Sequence, residues 1–234
     1  MPLWGIVTIS AAVAVLTAIA ALEAFARRNF AKLFSRRNDE VVFGNEFKIK
    51  EAELNRDSAE RIMSNPHEEV SLTGEGGVEL YGIYADNGSS VTVVLVHGYA
   101  VDWKSRAYDA EQYLSRGYNV LLTDNTGHGR SGGKFITMGY LDARNVLYWC
   151  DWLVRAKGAR NIILDGVSMG AATVLATSNY ERREAVRGII ADCGYTSARD
   201  VLAFQMKKRH IPVFPVLPRI CALARKNGFD VFSR

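Results

Sequence analysis

The sequence predicts an α/β fold: a mostly parallel β-sheet with helices on both faces, preceded by an apolar N-terminal helix. Short β-branched runs follow one another from Val91 onward, and stretches with helical periodicity separate them. Strands and helices that alternate at this spacing are joined by right-handed crossovers and form a parallel sheet. The uncharged segment from Leu3 to Leu22 stands apart from this alternation and predicts the additional helix.

The composition fits one such domain with a short addition. The chain has 234 residues, of which 48% are hydrophobic, enough to bury one α/β core. Its net charge of +4 is local in origin, because five basic residues fall in one short stretch: Arg27, Arg28, Lys32, Arg36 and Arg37. A charge confined in this way gives no reason to expect nucleic acid as a partner.

The segment from Leu3 to Leu22 is long enough to cross a membrane. At 1.5 Å per residue its helix would be about 30 Å long, the thickness of a bilayer's hydrocarbon core. A signal peptide would carry positive charges before the apolar run, whereas here they follow it. An uncleaved, single-pass anchor over residues 1–26 is therefore favoured over a cleaved signal. The positive-inside tendency then predicts a cytoplasmic main domain.

Two segments precede the parallel strands. Residues 27–67 predict a basic juxtamembrane stretch and a charge-dense helical spacer over residues 43–63. Residues 69–73 and 78–85 alternate apolar and polar positions as half-buried strands do. The glycines within residues 74–77 supply the positive φ angles of a tight hairpin between these strands. The main domain is predicted to span residues 68–234.

Four continuous apolar runs predict strands that are buried on both faces. They are residues 91–96, 119–123, 161–164 and 188–191, and a helical pattern lies in each interval.

Beyond residue 197 this alternation ends. Residues 201–209 are compatible with a helix, and residues 220–224 with one or two helical turns. Three prolines predict that residues 211–218 are extended and irregular. Residues 197–234 are expected to form a lid-like region suited to an apolar substrate.

The strongest chemical signal is Gly166-Val167-Ser168-Met169-Gly170, which fits the pattern G-x-S-x-G. Its context makes it informative, because Ser168 follows a predicted strand and precedes a helix-forming run. A nucleophile elbow needs this strand–turn–helix arrangement, which lifts the serine above the sheet. We therefore predict Ser168 as the nucleophile and Gly166 and Gly170 as the elbow glycines.

Two other patterns share the loop after the second of these strands. Gly129 to Gly133 also fits G-x-S-x-G around Ser131, but no helix follows it directly. Gly127 to Gly132 fits the dinucleotide pattern G-x-G-x-x-G without opening a helix after the first parallel strand. No cofactor is expected. The three cysteines, Cys150, Cys193 and Cys221, have no metal-binding spacing and predict reduced, mostly packed thiols and no metal.

His97-Gly98-Tyr99 directly follows the strand that ends at Val96. An oxyanion-hole amide is expected where a strand leads directly into a His-Gly turn. The backbone N–H of Tyr99 is predicted to pair with that of Met169, the residue after the nucleophile. His97 need take no part in the chemistry.

Three motifs in order resemble the α/β-hydrolase superfamily: Val94–Tyr99, Asp124–Ser131 and Asp165–Gly170. The chain is most similar to the membrane-anchored bacterial branch related to serine aminopeptidases and lysophospholipases. The resemblance covers about residue 68 to the C-terminus. It implies a serine hydrolase that cleaves an ester, thioester or amide bond in a small-molecule, lipid-like or peptide substrate. One departure is Thr126, where this branch usually has arginine before Gly-His-Gly.

The resemblance also implies a triad acid and histidine that follow Ser168 in the chain, after two further strands. Asp192 is a candidate acid, although a turn residue is the more ordinary interpretation. His210 is expected in the lid or in solvent, and His67 and His128 are expected to be structural. The sequence therefore predicts an α/β hydrolase whose C-terminal acid and histidine part is missing, and Ser168 would lack a base.

Three functions remain open on the sequence. A serine hydrolase is the leading hypothesis. A non-catalytic, truncated membrane-bound remnant or binding protein would explain the missing acid and histidine. An acyltransferase would use the same elbow.

Overall fold

The computed structural model describes residues 3–36 and 46–231. In this part of the chain the strands are β1 (Glu68–Thr73), β2 (Glu79–Ala85), β3 (Val91–Val96), β4 (Asn119–Thr123), β5 (Asn161–Val167) and β6 (Val186–Asp192). The helices are α1 (Leu3–Phe34), α2 (Glu46–Ser64), α3 (Ala107–Ser115), α4 (Asp142–Lys157), α5 (Met169–Ala176), α6 (Ala198–Lys208) and α7 (Val216–Lys226). Residues 43–45 of the predicted spacer lie outside the described residues.

The six strands form one sheet in the order β1-β2-β4-β3-β5-β6. The four strands from β3 to β6 are parallel to one another. Strand β2 pairs antiparallel with both β1 and β4. Val96 of β3 lies opposite Thr123 of β4 and Gly166 of β5, and Gly166 lies opposite Ala191 of β6. The predicted mostly parallel sheet is confirmed. Its register brings the carboxyl ends of these four strands to one edge.

Of the parallel strands, β3, β4 and β5 are largely buried on both faces, as their continuous apolar runs predict. In β3, Val94 and Val96 pack into one core with Trp149 of α4. Val93 and Leu95, which point the other way, pack into a second core with Ala107 of α3. Because side chains alternate across a strand, two helical layers are needed to cover this sheet.

The hairpin between β1 and β2 follows the predicted glycines. Gly76 and Gly77 have φ values of 67° and 74° in a short turn after Gly74. These backbone conformations are costly for residues with a β-carbon and are free for glycine. Glu68 to Thr73 then pair with Tyr84 to Glu79 in register.

The described chain divides into two compact units, one holding residues 3–34 and 198–231 and the other residues 35–36 and 46–197. The predicted domain limits at residues 26, 67 and 197, and the lid role of the last segment, remain predictions.

In the first unit, α1 continues beyond the predicted Leu22 to Phe34. Ala26, Phe30 and Phe34 are buried at a spacing of four residues, so they share one face of the helix. Phe34 packs against Phe229, with ring centroids 5.3 Å apart, and Arg219 of α7 pairs with Glu23. These contacts explain why the helix continues past the charged pair Arg27-Arg28.

The prediction of an irregular stretch over residues 211–218 is wrong at its end, because α7 begins at Val216. Pro218 lies in the first turn of α7. The first N–H groups of a helix have no partner within it, so a proline costs little there.

Two features of β6 and its surroundings depart from the predicted packing. Ile189 and Ile190 are 38% and 46% exposed, and their strand β6 pairs with β5 and with no other strand of the described sheet. Cys193, just after β6, is also exposed, whereas Cys150 and Cys221 are buried as predicted.

Candidate active site

Ser168 lies at the junction of β5 and α5. Its backbone has φ 56° and ψ −114°, between the last residue of β5 and the first residue of α5. Its N–H donates to the carbonyl of Asp192 at 2.8 Å, and its own carbonyl accepts from Ala172 at 3.1 Å. A positive φ is rare in a residue with a β-carbon, and such conformations cluster at functional sites. The predicted strand–turn–helix setting of Ser168 is therefore present.

Gly166 and Gly170 lie where the chain folds back on itself. A β-carbon on Gly166 would overlap the carbonyl of Gly170, and one on Gly170 would overlap the carbonyl of Val96. Both clashes are with backbone atoms, which cannot rotate away. The close approach of β3, β5 and α5 therefore requires glycine at both positions.

The His-Gly turn (residues 97–100) lies beside Ser168. A β-carbon placed on Gly98 would be 3.5 Å from the Cβ of Ser168. Tyr99 follows at once and is half-buried. Met169 supplies the first N–H of α5, which has no carbonyl partner within the helix. The oxyanion roles of the Tyr99 and Met169 amides stay predictions.

His97 is fully buried and uses both ring nitrogens. Its Nε2 accepts from the backbone N–H of Asn125 at 3.0 Å, so its Nδ1 carries the hydrogen and donates to the carbonyl of Gly98 at 2.7 Å. Burial holds the pKa of His97 well below its ordinary value, and the nearby His128 and Arg106 lower it further. His97 is therefore a neutral residue that fixes the turn.

His128 has the same arrangement. Its Nε2 accepts from the N–H of Ala100 at 3.1 Å, and its Nδ1 donates to the carbonyl of Thr126 at 3.0 Å. Burial lowers its pKa as well. The two imidazoles lie 4.9 Å apart, and together they hold both sides of the His-Gly turn.

Residues 124–135, the support loop, join β4 to the rest of the site. The carboxylate of Asp124 accepts from the N–H groups of Trp103 at 2.8 Å and Arg130 at 2.7 Å. Burial raises the pKa of Asp124 to about 6, against the opposing effect of these two bonds. Gly127 leaves no room for a β-carbon, which would lie 2.6 Å from the carbonyl of Phe135. The loop leads to α4 only at Asp142, so its dinucleotide-like pattern opens no helix.

No triad role is assigned to the other predicted residues. Asp192 ends β6 and is exposed, and its role as a triad acid stays a prediction. His210 is exposed after α6 in the other compact unit, and His67 is half-buried before β1. Among the described residues, no cluster of His, Cys, Asp and Glu side chains is arranged to hold a metal.

A buried ionic cluster below the elbow is missing from the sequence prediction. Asp165 of β5 accepts from Arg106 at 3.0 Å and from the hydroxyl of Tyr113 at 2.8 Å. Arg106 and Asp165 are both buried. A charged residue inside an otherwise apolar strand was the available signal, since such a group needs a partner.

A second buried carboxylate, Asp142, was also missed. It accepts from the N–H of Thr126 at 2.8 Å and from the hydroxyl of Thr137 at 2.9 Å. Asn145 donates to the hydroxyl of Thr126 at 2.9 Å. Thr126, the departure noted in the motif, is thus held from α4.

Known proteins are similar in sequence to parts of this chain. The uncharacterized protein YqkD of Bacillus subtilis is 27% identical over 145 residues, which cover 61% of this chain and 48% of that protein. The uncharacterized protein YfhR of Escherichia coli O157:H7 is 30% identical over 144 residues, covering 56% and 48%. A monoacylglycerol lipase of Mycolicibacterium smegmatis is 37% identical over 75 residues, covering 31% and 27%. The chain spans about half the length, or less, of these relatives.

Solved structures share the fold. An esterase of Pyrococcus furiosus matches with a TM-score of 0.58 and 26% identity, over 80% of this chain and 67% of that one. The α/β hydrolase GrgF from a Penicillium species matches with a TM-score of 0.52 and 18% identity, over 71% and 57%. The second likeness concerns the fold alone.

The family model described as serine aminopeptidase, S33, matches residues 89–222, more than half of the chain. This range contains the His-Gly turn, the support loop and the elbow. The resemblance of the three motifs and the fold of the solved structures agree with it. The chain therefore belongs to the S33 serine aminopeptidase family of α/β hydrolases.

Proposed function

We propose that this protein is a serine hydrolase that cleaves an ester bond in a lipid-like or other small acyl substrate, with Ser168 as the nucleophile. The observation that carries the proposal is the φ of 56° at Ser168, between β5 and α5. Such a conformation costs about 1–3 kcal/mol and persists where the surroundings hold a reactive group in place. The sequence alone favours no bond type among ester, thioester and amide.

The names of two relatives favour ester chemistry. The Pyrococcus furiosus protein is an esterase, and the Mycolicibacterium smegmatis protein is a monoacylglycerol lipase. The family description, serine aminopeptidase, keeps an amide bond as the alternative.

In the proposed reaction, the hydroxyl oxygen of Ser168 attacks the carbonyl carbon of the substrate. The negative oxygen that forms accepts hydrogen bonds from the backbone N–H groups of Tyr99 and Met169. The contact between Gly98 and Ser168 supports this geometry, and the positive end of the α5 dipole favours the developing charge. The hydroxyl proton of Ser168 ends on the departing alcohol, and water then cleaves the acyl–serine bond, which gives the carboxylic acid and returns a proton to Ser168.

Neither buried histidine can accept the proton of Ser168. His97 and His128 lie in the same unit as Ser168, but both of their ring nitrogens are occupied. This observation favours a second candidate, an acyl-binding protein that keeps the elbow without turnover. An acyltransferase would share the elbow and would release the acyl group to an acceptor other than water.

A fluorophosphonate probe tests the nucleophile. In the full-length chain, purified in detergent, we expect the probe to label the peptide that contains Ser168 and not the peptide that contains Ser131. Ser168→Ala should abolish labelling, and it should lower hydrolysis of p-nitrophenyl esters at least about a thousandfold. Ser178→Ala is the matched control, because that serine is exposed and its hydroxyl bonds to the carbonyl of Leu175, one turn before it.

Each outcome separates the candidates. Labelling that survives Ser168→Ala contradicts the proposed nucleophile. A wild-type chain that binds long-chain acyl compounds but neither reacts with the probe nor turns over esters is the acyl-binding protein. Ester cleavage that yields transfer to an added alcohol in preference to water identifies the acyltransferase.

We also propose that α1 anchors the protein in a membrane, with the main domain in the cytoplasm. The segment from Ser10 to Phe34 is long and apolar enough to cross a membrane, and 6% of an apolar 18-residue stretch within it is buried, although a signal sequence has the same length and composition. Arg27, Arg28 and Lys32 at its C-terminal end support a cytoplasmic placement of the main domain.

Cys193 provides a native reporter of this topology, because it is exposed while Cys150 and Cys221 are buried. In intact cells, a membrane-impermeant maleimide should leave Cys193 unlabelled until the membrane is permeabilised. A Cys193→Ser variant should remain unlabelled in both states. Labelling in intact cells would contradict the cytoplasmic placement, and release from the membrane by alkaline carbonate would contradict the anchor.

A further inference from the structure

We infer that Arg36 is a positioning residue for the candidate site, holding the support loop that in turn fixes the His-Gly turn. Residues 35–36 follow α1 in the chain, and Arg36 belongs to the basic stretch that the sequence assigns to a membrane surface. In the structure its guanidinium instead donates hydrogen bonds within the main domain. The catalytic consequence rests on the proposed function, whereas the contacts themselves do not.

Arg36 bonds to the support loop through two backbone carbonyls. Its Nη1 donates to the carbonyl of Ser131 at 2.6 Å, and its Nη2 donates to the carbonyl of Gly129 at 2.5 Å. Its backbone N–H donates to the carbonyl of Lys134 at 3.2 Å, and Ser35 forms an antiparallel bridge with Phe135. A planar guanidinium spans two acceptors at once, which a lysine ammonium does not do in a fixed geometry.

The support loop passes this constraint to the His-Gly turn through three hydrogen bonds. Asn125 donates its N–H to the ring of His97 and its side-chain amide to the carbonyl of His97, both at 3.0 Å. Ala100 donates to the ring of His128 at 3.1 Å. His128 is next to Gly129, whose carbonyl Arg36 holds, so the path from Arg36 to the turn is short.

The charge of Arg36 also favours the form of His128 that the turn requires. Only a neutral ring with a bare Nε2 accepts from Ala100. Burial lowers the pKa of His128, and the positive charge of Arg36 also lowers it, whereas Asp142, the bond to the carbonyl of Thr126 and Asp102 raise it. Arg36 therefore supports the loop through its hydrogen bonds, and its positive charge opposes protonation of the His128 ring.

Arg28 offers a matched comparison. It lies in the same basic stretch, but it is exposed, whereas Arg36 is half-buried. Replacing either arginine by glutamine removes one positive charge, and only the change at residue 36 removes bonds to the support loop. Arg36→Lys keeps the charge and loses the two-carbonyl geometry.

The test uses the full-length chain in lipid nanodiscs, with hydrogen–deuterium exchange and ester kinetics measured on each variant. We expect Arg36→Gln to speed exchange about tenfold in peptides covering residues 97–101 and 125–133, with residues 161–176 unchanged. The kcat should fall about tenfold with KM within about twofold, less than the 10²–10³-fold loss from deleting an oxyanion donor, because Asn125 still holds the turn. Arg36→Lys should be intermediate, and Arg28→Gln should match the wild type.

Unchanged exchange in residues 97–101 and 125–133 of Arg36→Gln would overturn the inference, whatever the kinetics. Equal acceleration in residues 161–176 would overturn it in favour of general stabilisation. A wild-type chain without turnover or probe labelling would end the proposed function. The exchange data would then still decide whether Arg36 positions the turn.

Discussion

The two segments that fit G-x-S-x-G place their serines in different environments. Ser131 is fully buried, and its hydroxyl donates to the carbonyl of Asp124 at 2.7 Å and accepts from the N–H of Tyr81 at 2.9 Å. Ser168 instead takes a positive φ at a strand–helix junction, beside Gly98. The hydroxyl of Ser131 therefore links two backbone groups inside the domain. Ser168 lies at the carboxyl edge of the sheet.

The neighbouring residues cause the difference. After Ser168 the helix α5 begins at once, which forces the sharp reversal between β5 and α5. After Ser131 the next α-helix begins only at Asp142, and the N–H of Gly132 donates to the carbonyl of Glu79 at 2.6 Å. The string of residue types is therefore insufficient, and the next element along the chain decides which serine is available.

The largest stability effect is expected at Gly170, where the elbow touches β3. Gly170→Ala should destabilise the domain by about 3 kcal/mol, because the new β-carbon would overlap the backbone carbonyl of Val96. Gly158→Ala is the control, with φ 65° and open space around it, and should cost about 1 kcal/mol. Urea unfolding followed by tryptophan fluorescence measures both. Equal losses would mean that the elbow is not sterically closed.

A smaller loss is expected for the buried serine. Ser131→Ala should cost about 2 kcal/mol, because it leaves the buried N–H of Tyr81 without its acceptor. The same unfolding measurement applies, with the exposed Ser178→Ala expected within about 0.5 kcal/mol of the wild type. If Ser131→Ala kept full stability and lost probe labelling, the assignment of the two serines would be reversed.

The histidines that hold the His-Gly turn predict a stability that falls with acidification. The pKa values of His97 and His128 are lowered in the folded state, so the unfolded chain takes up protons first as the pH falls below about 6.5. Asp124 acts in the opposite direction, because its raised pKa of about 6 favours proton uptake by the folded chain. Two histidines against one carboxyl leave a net loss of stability as the pH falls.

Thermal unfolding between pH 7.5 and pH 5.5 measures this slope. His128→Asn should flatten it, because one of the two buried rings is then removed. A wild-type profile that is flat over this range would contradict the buried, neutral state of the two rings.

The smallest effect concerns the backbone of Ser168 itself. Because φ is 56° there, Ser168→Gly should be about 1 kcal/mol more stable than Ser168→Ala, since only glycine adopts this conformation without cost. Both variants lack the hydroxyl, so the difference reports the backbone alone. An alanine variant as stable as the glycine variant would show that the elbow is relaxed.

Local patterns predicted the sheet well and its ends less well. The parallel strands follow from β-branched runs, but β5 extends to Val167 because Asp165 is neutralised by Arg106, a contact across 59 residues. The prolines of residues 211–218 concealed the start of α7 from the sequence analysis. A proline disrupts the interior of a helix but is tolerated in its first turn, where Pro218 lies. Periodicity alone does not reveal such pairings.

The site shows the same limit. The elbow was predictable because strand, turn, glycines and helix lie within a few neighbouring residues. The role of Arg36 was not, because its bonds to Gly129 and Ser131 join segments 93 and 95 residues apart. The ring tautomers of His97 and His128 also depend on partners from distant loops, which no short motif records.

The bond from the N–H of Ser168 to the carbonyl of Asp192 has a consequence for heating. It fastens the most strained residue of the elbow to β6, whose outer isoleucines are poorly covered. An edge strand with little apolar cover frays before the centre of a sheet melts. Once β6 frays, the elbow can relax, so thermal inactivation should set in some degrees below the collapse of the fold.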